Sequence, residues 1–292
     1  MPKISNKIMA PFFGFLVGIA ILIWLSVFQN QQSENNLEIV FCDVGQGDAI
    51  IVEPGLNEQI LIDGGPDNSV LSCLGENMPF NDRKIESIII THPHADHIAG
   101  LIDVINKYQI GNIWLTGVAY SSPEYTEILS LIKNKQIQTK KAQIGQIVFQ
   151  QNQIKLKILY PIKNLQGKTM NNPNNSSVVI RLEDSKFSAI FMGDLEQDAQ
   201  TEFLSHNQMV KSTVLKVSHH GSSNALMTEF LSQVNPEVAI ISVGANNRYG
   251  HPTKKTLDLL KQIPNIKILR TDQNGIIEIN TNGQTYQVKT AK

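Results

Sequence analysis

Ser87-Ile88-Ile89-Ile90-Thr91-His92-Pro93-His94-Ala95-Asp96-His97 is the stretch on which the reading of this chain turns. Three consecutive isoleucines predict a strand buried on both faces, residues 87–91. The apolar spacing of Ile98, Leu101, Ile102 and Ile105 predicts an amphipathic helix over residues 95–107. Three imidazoles and a carboxylate sit between them, within six residues. In an extended loop, residues two apart point the same way, so His92 and His94 are expected to converge on one metal ion. Asp96 and His97 enter the helix on another side and are expected to serve a second ion. Core packing has no use for such a cluster, since polar groups of this kind are seldom buried without a partner.

Working outward, six of the seven histidines fall in Gly- or Pro-punctuated loops after predicted strands: His92, His94, His97, His219, His220 and His251. The seventh, His206, ends a helical segment and reads as exposed. Asp194 closes the strand 188–192 through Gly193, and a carboxylate placed there can bridge two cations. Val217-Ser218-His219-His220-Gly221-Ser222 again ends a strand. One of its histidines is expected to ligate metal, and the other to hold a substrate oxygen or act as an acid. Asp96, His219 and His220 are therefore the candidate catalytic residues. Ser222 stands where a helix N-terminus could take an anion or simply be capped. His251 is expected to complete the second metal's shell, and Asn247, Arg248 and Tyr249 beside it are candidate substrate contacts.

The rest of the chain beyond residue 37 alternates short Ile- and Val-rich runs with helical patterns. Predicted strands are 37–42, 49–53, 59–62, 113–115, 144–149, 154–159, 178–182, 214–217, 238–243, 276–280 and 285–289. Predicted helices are 123–133, 195–205, 226–234 and 253–262. Two blocks, each of strands followed by helices, imply an α+β architecture with two sheets face to face and helices outside.

Before residue 37 the pattern changes. Lys3 and Lys7 precede an uncharged apolar stretch, residues 8–28, close to the ~20 residues that cross a bilayer. The expected organisation is a cytoplasmic tail (1–7), a transmembrane signal anchor (8–28), a polar linker (29–36) and a catalytic domain (37–292) outside the cytoplasm in a single-pass membrane protein. Cys42 ends an apolar run and reads as a small buried hydrophobe; a single bridge to Cys73 stays open if the domain is exported. The formal net charge is −1, and without Lys3 and Lys7 it is −3, which excludes a protein that grips long duplex DNA through phosphate neutralisation.

The motif His92-x-His94-x-Asp96-His97 resembles the signature of the metallo-β-lactamase superfamily. Together with Asp43-Val44-Gly45-Gln46-Gly47-Asp48, Leu61-Ile62-Asp63-Gly64-Gly65, the double-His segment and residues 242–252, the chain is similar to the hydrolase domain of ComEC-type DNA-internalisation competence proteins. The resemblance implies an αβ/βα four-layer sandwich with a dinuclear metal centre. Its metal shell would be His92, His94, Asp96, His97, Asp194, His219 or His220, and His251, with Asp43, Gln46 and Asp63 near or behind it. Two departures matter. No histidine lies between Ile98 and Gly193, where β-lactamases supply a further ligand, and the polar loop around residues 174–177 takes that place. Only residues 8–28 could span a membrane, so a pore is not expected.

The expected cofactors are two divalent ions, zinc by its affinity for imidazole or manganese because carboxylates share the site. The expected substrate is a phosphodiester, single-stranded DNA included. Rival readings are a lactone, amide or thioester hydrolase, and a non-catalytic DNA-uptake or surface assembly protein with a structural metal site.

Overall fold

The computed structural model describes residues 17–21, 24, 37–55, 58–206 and 210–292. The expected tail, anchor and linker lie outside the described residues except at 17–21 and 24. Among the described residues no helix is long and apolar enough to cross a membrane. The chain divides into two units, Met1–Asn36 and Leu37–Lys292. The second unit holds both sheets.

In chain order its strands are β1 (Leu37–Phe41), β2 (Ile50–Glu53), β3 (Ile60–Ile62), β4 (Lys84–Ile89), β5 (Gln109–Leu115), β6 (Gln138–Lys141), β7 (Ile147–Gln151), β8 (Ile154–Tyr160), β9 (Val179–Asp184), β10 (Phe187–Phe191), β11 (Val214–Lys216), β12 (Val238–Ile241), β13 (Lys267–Arg270), β14 (Ile277–Thr281) and β15 (Tyr286–Thr290). The helices are α1 (Ser69–Asn77), α2 (Ala95–Lys107), α3 (Pro123–Asn134), α4 (Gln197–His206), α5 (Thr228–Val234), α6 (Lys254–Leu260) and α7 (Thr271–Asn274). One sheet runs β15-β14-β1-β2-β3-β4-β5-β6 and the other β13-β12-β11-β10-β9-β8-β7. Both sheets are mixed: pairing is parallel over β3 to β6 and over β10 to β13, and antiparallel over β15-β14-β1-β2-β3 and β7 to β10.

Side-chain alternation with a period of two builds the layers. Leu37, Ile39, Phe41, Ile60, Ile62 and Ile89 face the second sheet, meeting Leu156, Ile180, Phe191 and Ile240 in the central core. The Phe41 and Phe191 rings lie 6.1 Å apart across it. Val40, Ile51, Leu61 and Ile88 point the other way and are covered by α1, α2 and α3. Ile190, Leu215, Ala239 and Ile241 do the same beneath α4, α5 and α6. This is the expected αβ/βα sandwich.

Several local features differ from the expectation. Helices α1 and α7 and strands β6 and β13 are additional, and β7 starts three residues later than the apolar run beginning at Ile144. Pro173–Ser176 forms a 3-10 turn inside the polar loop. Cys42 is buried, as expected of a small hydrophobe, yet it is also bonded to Cys73 of α1 with Cα atoms 5.9 Å apart. Finally, β14 and β15 return to the first sheet, so the two halves are stitched together.

Candidate metal centre

Each group at the site leaves the carboxyl end of a strand, where parallel sheets open their crevices. Asp48 follows β1, Asp63 follows β3, and His92 to His97 follow β4. Asp194 follows β10, His219 and His220 follow β11, and residues 244–251 follow β12. Close backbone contact sets the first group. Gly100 of α2 donates its N–H to Gly65 O at 3.0 Å, and a Cβ there would fall 2.1 Å from Gly64 O. The turn after β3 thus lies directly on α2 and delivers Asp63 to His97.

Asp63 organises the histidine motif. Its Oδ1 accepts Thr91 N–H at 2.8 Å, and its Oδ2 accepts Thr91 Oγ1 at 2.6 Å. The same Oδ2 lies 2.7 Å from His97 Nδ1, which turns Nε2 into the site. Four non-glycine residues in these loops hold left-handed backbone: Asp63 (φ 57°), His219 (φ 45°), His220 (φ 51°) and Asn246 (φ 55°). Such strain costs about 1–3 kcal/mol per residue and persists where the surroundings over-determine it.

The carboxylate of Asp194 is the common point. Its Oδ2 lies 3.3 Å from His97 Nε2, 3.6 Å from His220 Nε2, and 3.8 Å from both His92 Nε2 and His219 Nε2. His220 Nε2 is also 3.2 Å from Asp96 Oδ2. Asp96, His97, Asp194 and His220 form one group whose ligand atoms lie within 4.8 Å of each other. His92 Nε2 and His94 Nδ1 approach to 3.1 Å on another side.

These residues fit a metal. Donors bound at about 2.1 Å to one ion sit within about 4 Å of each other, as the 3.2–3.6 Å contacts of Asp96, His97, Asp194 and His220 do. His97 Nε2 and Asp194 Oδ1 are buried with no hydrogen-bond partner among the described residues. The charges concur. Burial works against the His220 imidazolium, yet Asp194, Asp48 and Asp96 hold it up to about 10. Burial also opposes the His97 imidazolium, and Asp194 and Asp63 outweigh it to raise that group well above its ordinary range. Burial would raise the Asp194 carboxyl, but His97 and His220 hold it well below the usual carboxylate range. A pocket that gathers cationic charge in this way can exchange protons for a metal ion.

The other expected residues fall as follows. His220 joins the four-donor group, whereas His219 is partly exposed and held from behind. Its Nδ1 lies 3.1 Å from Glu196 Oε1 and 3.2 Å from Ser222 Oγ. Glu196 in turn accepts hydrogen bonds from Asn172 Nδ2 (3.0 Å) and Asn174 Nδ2 (2.7 Å) of the polar loop. Ser222 does not begin a helix, because α5 starts only at Thr228. The His251 ring stands 5.8 Å from His219 and stacks on Tyr249, outside the four-donor group. Asn247 is engaged in shaping its loop, donating to Gly244 O and His251 O. Arg248 is exposed and donates to Tyr249 OH at 2.8 Å. Asp43 pairs with Lys292, and Gln46 accepts from Gly244 N–H behind the site. His206 is exposed at the end of α4.

Glu196, Asn172 and the ion pair of Lys216 with Asp48 join the site without having been among the expected residues. Lys216 had a visible signal: a lone charge inside an apolar strand, Val214 to Val217.

Comparison with known proteins agrees with this geometry. A family profile described as Metallo-beta-lactamase superfamily matches residues 42–245. ComE operon protein 3 of Bacillus subtilis (strain 168) is 31% identical over 88% of this chain and 34% of its own length. Recombination protein 2 of Haemophilus influenzae is 28% identical over 94% of this chain and 33% of its own. The chain thus spans about a third of the length of the curated relatives it matches. Among solved structures, the metallo-beta-lactamase fold protein YhfI from Bacillus subtilis superimposes with a TM-score of 0.54 at 14% identity, covering 83% of this chain and 99% of that one.

Proposed function

We propose a reaction for this chain from one premise: it belongs to the metallo-beta-lactamase superfamily. Metal-dependent hydrolysis follows from the family and the donor cluster together. The substrate is our reading: phosphodiesters, with single-stranded DNA favoured over duplex. The observation that carries it is the Asp194 carboxylate, one oxygen of which faces imidazole nitrogens of His92, His97, His219 and His220 at 3.3–3.8 Å. Asp96, His97, Asp194 and His220 would hold one ion, and His92 and His94 with Asp194 a second.

Two divalent ions, when bound, supply a nucleophile at neutral pH and neutralise the charge that builds on phosphoryl oxygens. The chain's own residues do the remainder. His219 directs Nε2 toward Asp194 while Glu196 holds Nδ1, which suits it to hand a proton to the leaving oxygen. Arg248, exposed on the loop after β12, is free to meet a phosphate. The acidic balance of the chain favours local contact over a long duplex grip. The name of the relative Recombination protein 2 also supports a nucleic-acid substrate.

A membrane anchor at residues 8–28, with the hydrolase outside the cytoplasm, belongs to the same proposal. Lys3 and Lys7 before the apolar segment support it, as do the exposed side chains of Val17, Ile21 and Trp24 and the Cys42–Cys73 bridge.

The test is a substrate panel with the zinc- or manganese-loaded chain: bis-p-nitrophenyl phosphate, single-stranded and duplex DNA, phosphorylcholine esters, a lactone and a thioester. Chelator-sensitive cleavage of the phosphodiesters is expected. Turnover of lactone or thioester with every phosphodiester left intact would overturn the reading.

A further inference from the structure

Lys216 is 1% exposed and lies in β11 between Leu215 and Val217, both fully buried. Its Nζ donates to Asp48 Oδ2 at 2.6 Å and to Val217 O at 3.0 Å. Asp48 is itself 2% exposed and comes from the opposite sheet, 168 positions away in sequence. Buried ion pairs of this kind add little stability, because desolvating both charges consumes most of what their attraction returns. An aliphatic pair would tie the sheets at less cost. The pair therefore invites a role beyond cohesion.

That role lies on its free side. Among the described residues Asp48 Oδ1 has no hydrogen-bond partner, and it lies 3.4 Å from His220 Nδ1. The same Nδ1 is 3.0 Å from Ser242 O. One ring proton cannot serve both acceptors fully, so the carbonyl takes the hydrogen bond and the carboxylate adds its charge. Both acceptors fix a proton on Nδ1, so Nε2 is the ring atom that faces Asp96 at 3.2 Å and Asp194 at 3.6 Å. A second circumstance points the same way. Asp48, Asp63 and His97 offer ligand atoms within 4.8 Å of each other, an alternative cation nest directly behind the site. The Lys216 ammonium sits on Asp48 Oδ2 and sets a positive charge beside that nest, which disfavours a metal there.

We infer that Lys216 and Asp48 are a positioning pair for His220, in which a built-in ammonium fixes Asp48 so that His220 presents Nε2, and Asp48 itself stays out of the metal shell. The inference rests on the metal-binding half of the proposed function only. Its readouts involve no substrate, so it stands or falls apart from the phosphodiester reading.

The full chain carrying both Lys216→Met and Asp48→Asn removes the two charges without leaving either partner buried and unpaired. Zinc affinity, measured by competition with a chromophoric chelator, should fall for one of the two ions by roughly 10- to 100-fold, the usual effect of losing a group that orients a ligand. A folded double variant with unchanged affinity for both ions would reduce the pair to a structural tie and overturn the inference. A second measurement needs no variant. Long-range proton–nitrogen NMR of the zinc-loaded wild-type chain should show His220 with its proton on Nδ1 and its metal on Nε2. The reverse tautomer would overturn the inference equally.

Discussion

His97 Nδ1 lies 2.7 Å from Asp63 Oδ2, and the contact aims Nε2 of the same ring at Asp194 Oδ2, 3.3 Å away. Asp63 is fully buried and receives two further hydrogen bonds from Thr91, so the ring has little freedom to turn. Asp63→Ala should accordingly weaken metal binding by roughly 10- to 100-fold while leaving every direct donor in place. Asp194→Ala should lower metal content outright and abolish hydrolysis. Elemental analysis beside activity measurements checks both. A metal-free yet active protein would rule out the dinuclear mechanism.

His219 separates binding from chemistry. Because it lies outside the four-donor group and is backed by Glu196, His219→Ala should leave the ion at Asp96, His97, Asp194 and His220 in place. Its kcat should drop by roughly 10²–10⁴, the range for loss of a general acid. An equal loss of both ions would make His219 a ligand instead.

The apoprotein should respond to alkali with a definite sign. Burial opposes the His220 imidazolium, but Asp194, Asp48 and Asp96 raise it to about 10 from an ordinary 6.5. A raised folded value contributes stability that is complete below about pH 6.5 and disappears as pH climbs through about 10. With chelator present, the melting temperature should therefore fall across that window. With zinc present the trend should be weaker or reversed, because metal binding releases the same proton and tightens as pH rises. Identical slopes with and without zinc would contradict this.

The Cys42–Cys73 bridge closes a sequence separation of 31 residues and pins α1 to the end of β1. Replacing Cys73 by Ala, or adding reductant, should cost about 3–4 kcal/mol, the size expected for a loop of that length. Denaturant unfolding with and without reductant measures it. Equal midpoints would mean the bridge contributes nothing.

Arg248→Ala should raise KM for phosphodiesters more than it lowers kcat, since the residue is exposed and its guanidinium rests on Tyr249. The wild-type KM should itself rise with salt. A kcat defect with unchanged KM would place Arg248 in the chemistry.

For topology, a C-terminal alkaline phosphatase fusion should be active and a green fluorescent protein fusion dark after export through the general secretory route. The opposite pattern would reverse the proposed orientation.

The parts of this structure that were legible in advance are those with strong local patterning. Three isoleucines before His92 and the spacing of Ile98, Leu101 and Ile105 after it placed α2 to the residue and β4 to within three, with the histidine loop between them. Strand β6, Gln138-Thr139-Lys140-Lys141, is a polar edge strand without apolar alternation, so its pairing with β5 leaves no trace in the sequence. Helix α1 carries Ser69, Ser72 and Gly75, poor helix formers, and owes its place to packing and the bridge. The donor types were readable from residue chemistry. Which of His219 and His220 faces the metal was not, because that depends on two consecutive left-handed residues and on Asp48 and Glu196 arriving from distant loops. His251 likewise reads as a ligand by type, and only the course of its loop places it beside His219.

Strand β1 pairs β14, with Leu37 opposite Thr281. As the chain emerges from its N-terminal end, one flank of β1 stays an open edge until β14 appears, exposing a template that other chains could pair with. Contacts of such long sequence separation also form late, because the loop between them must first be closed. A chain cut before Ile277 would keep every metal donor and lose the strand that seals Ile39 and Phe41. The domain therefore carries its candidate donors well before it carries its finished architecture, and in the interval that edge stays open to pairing.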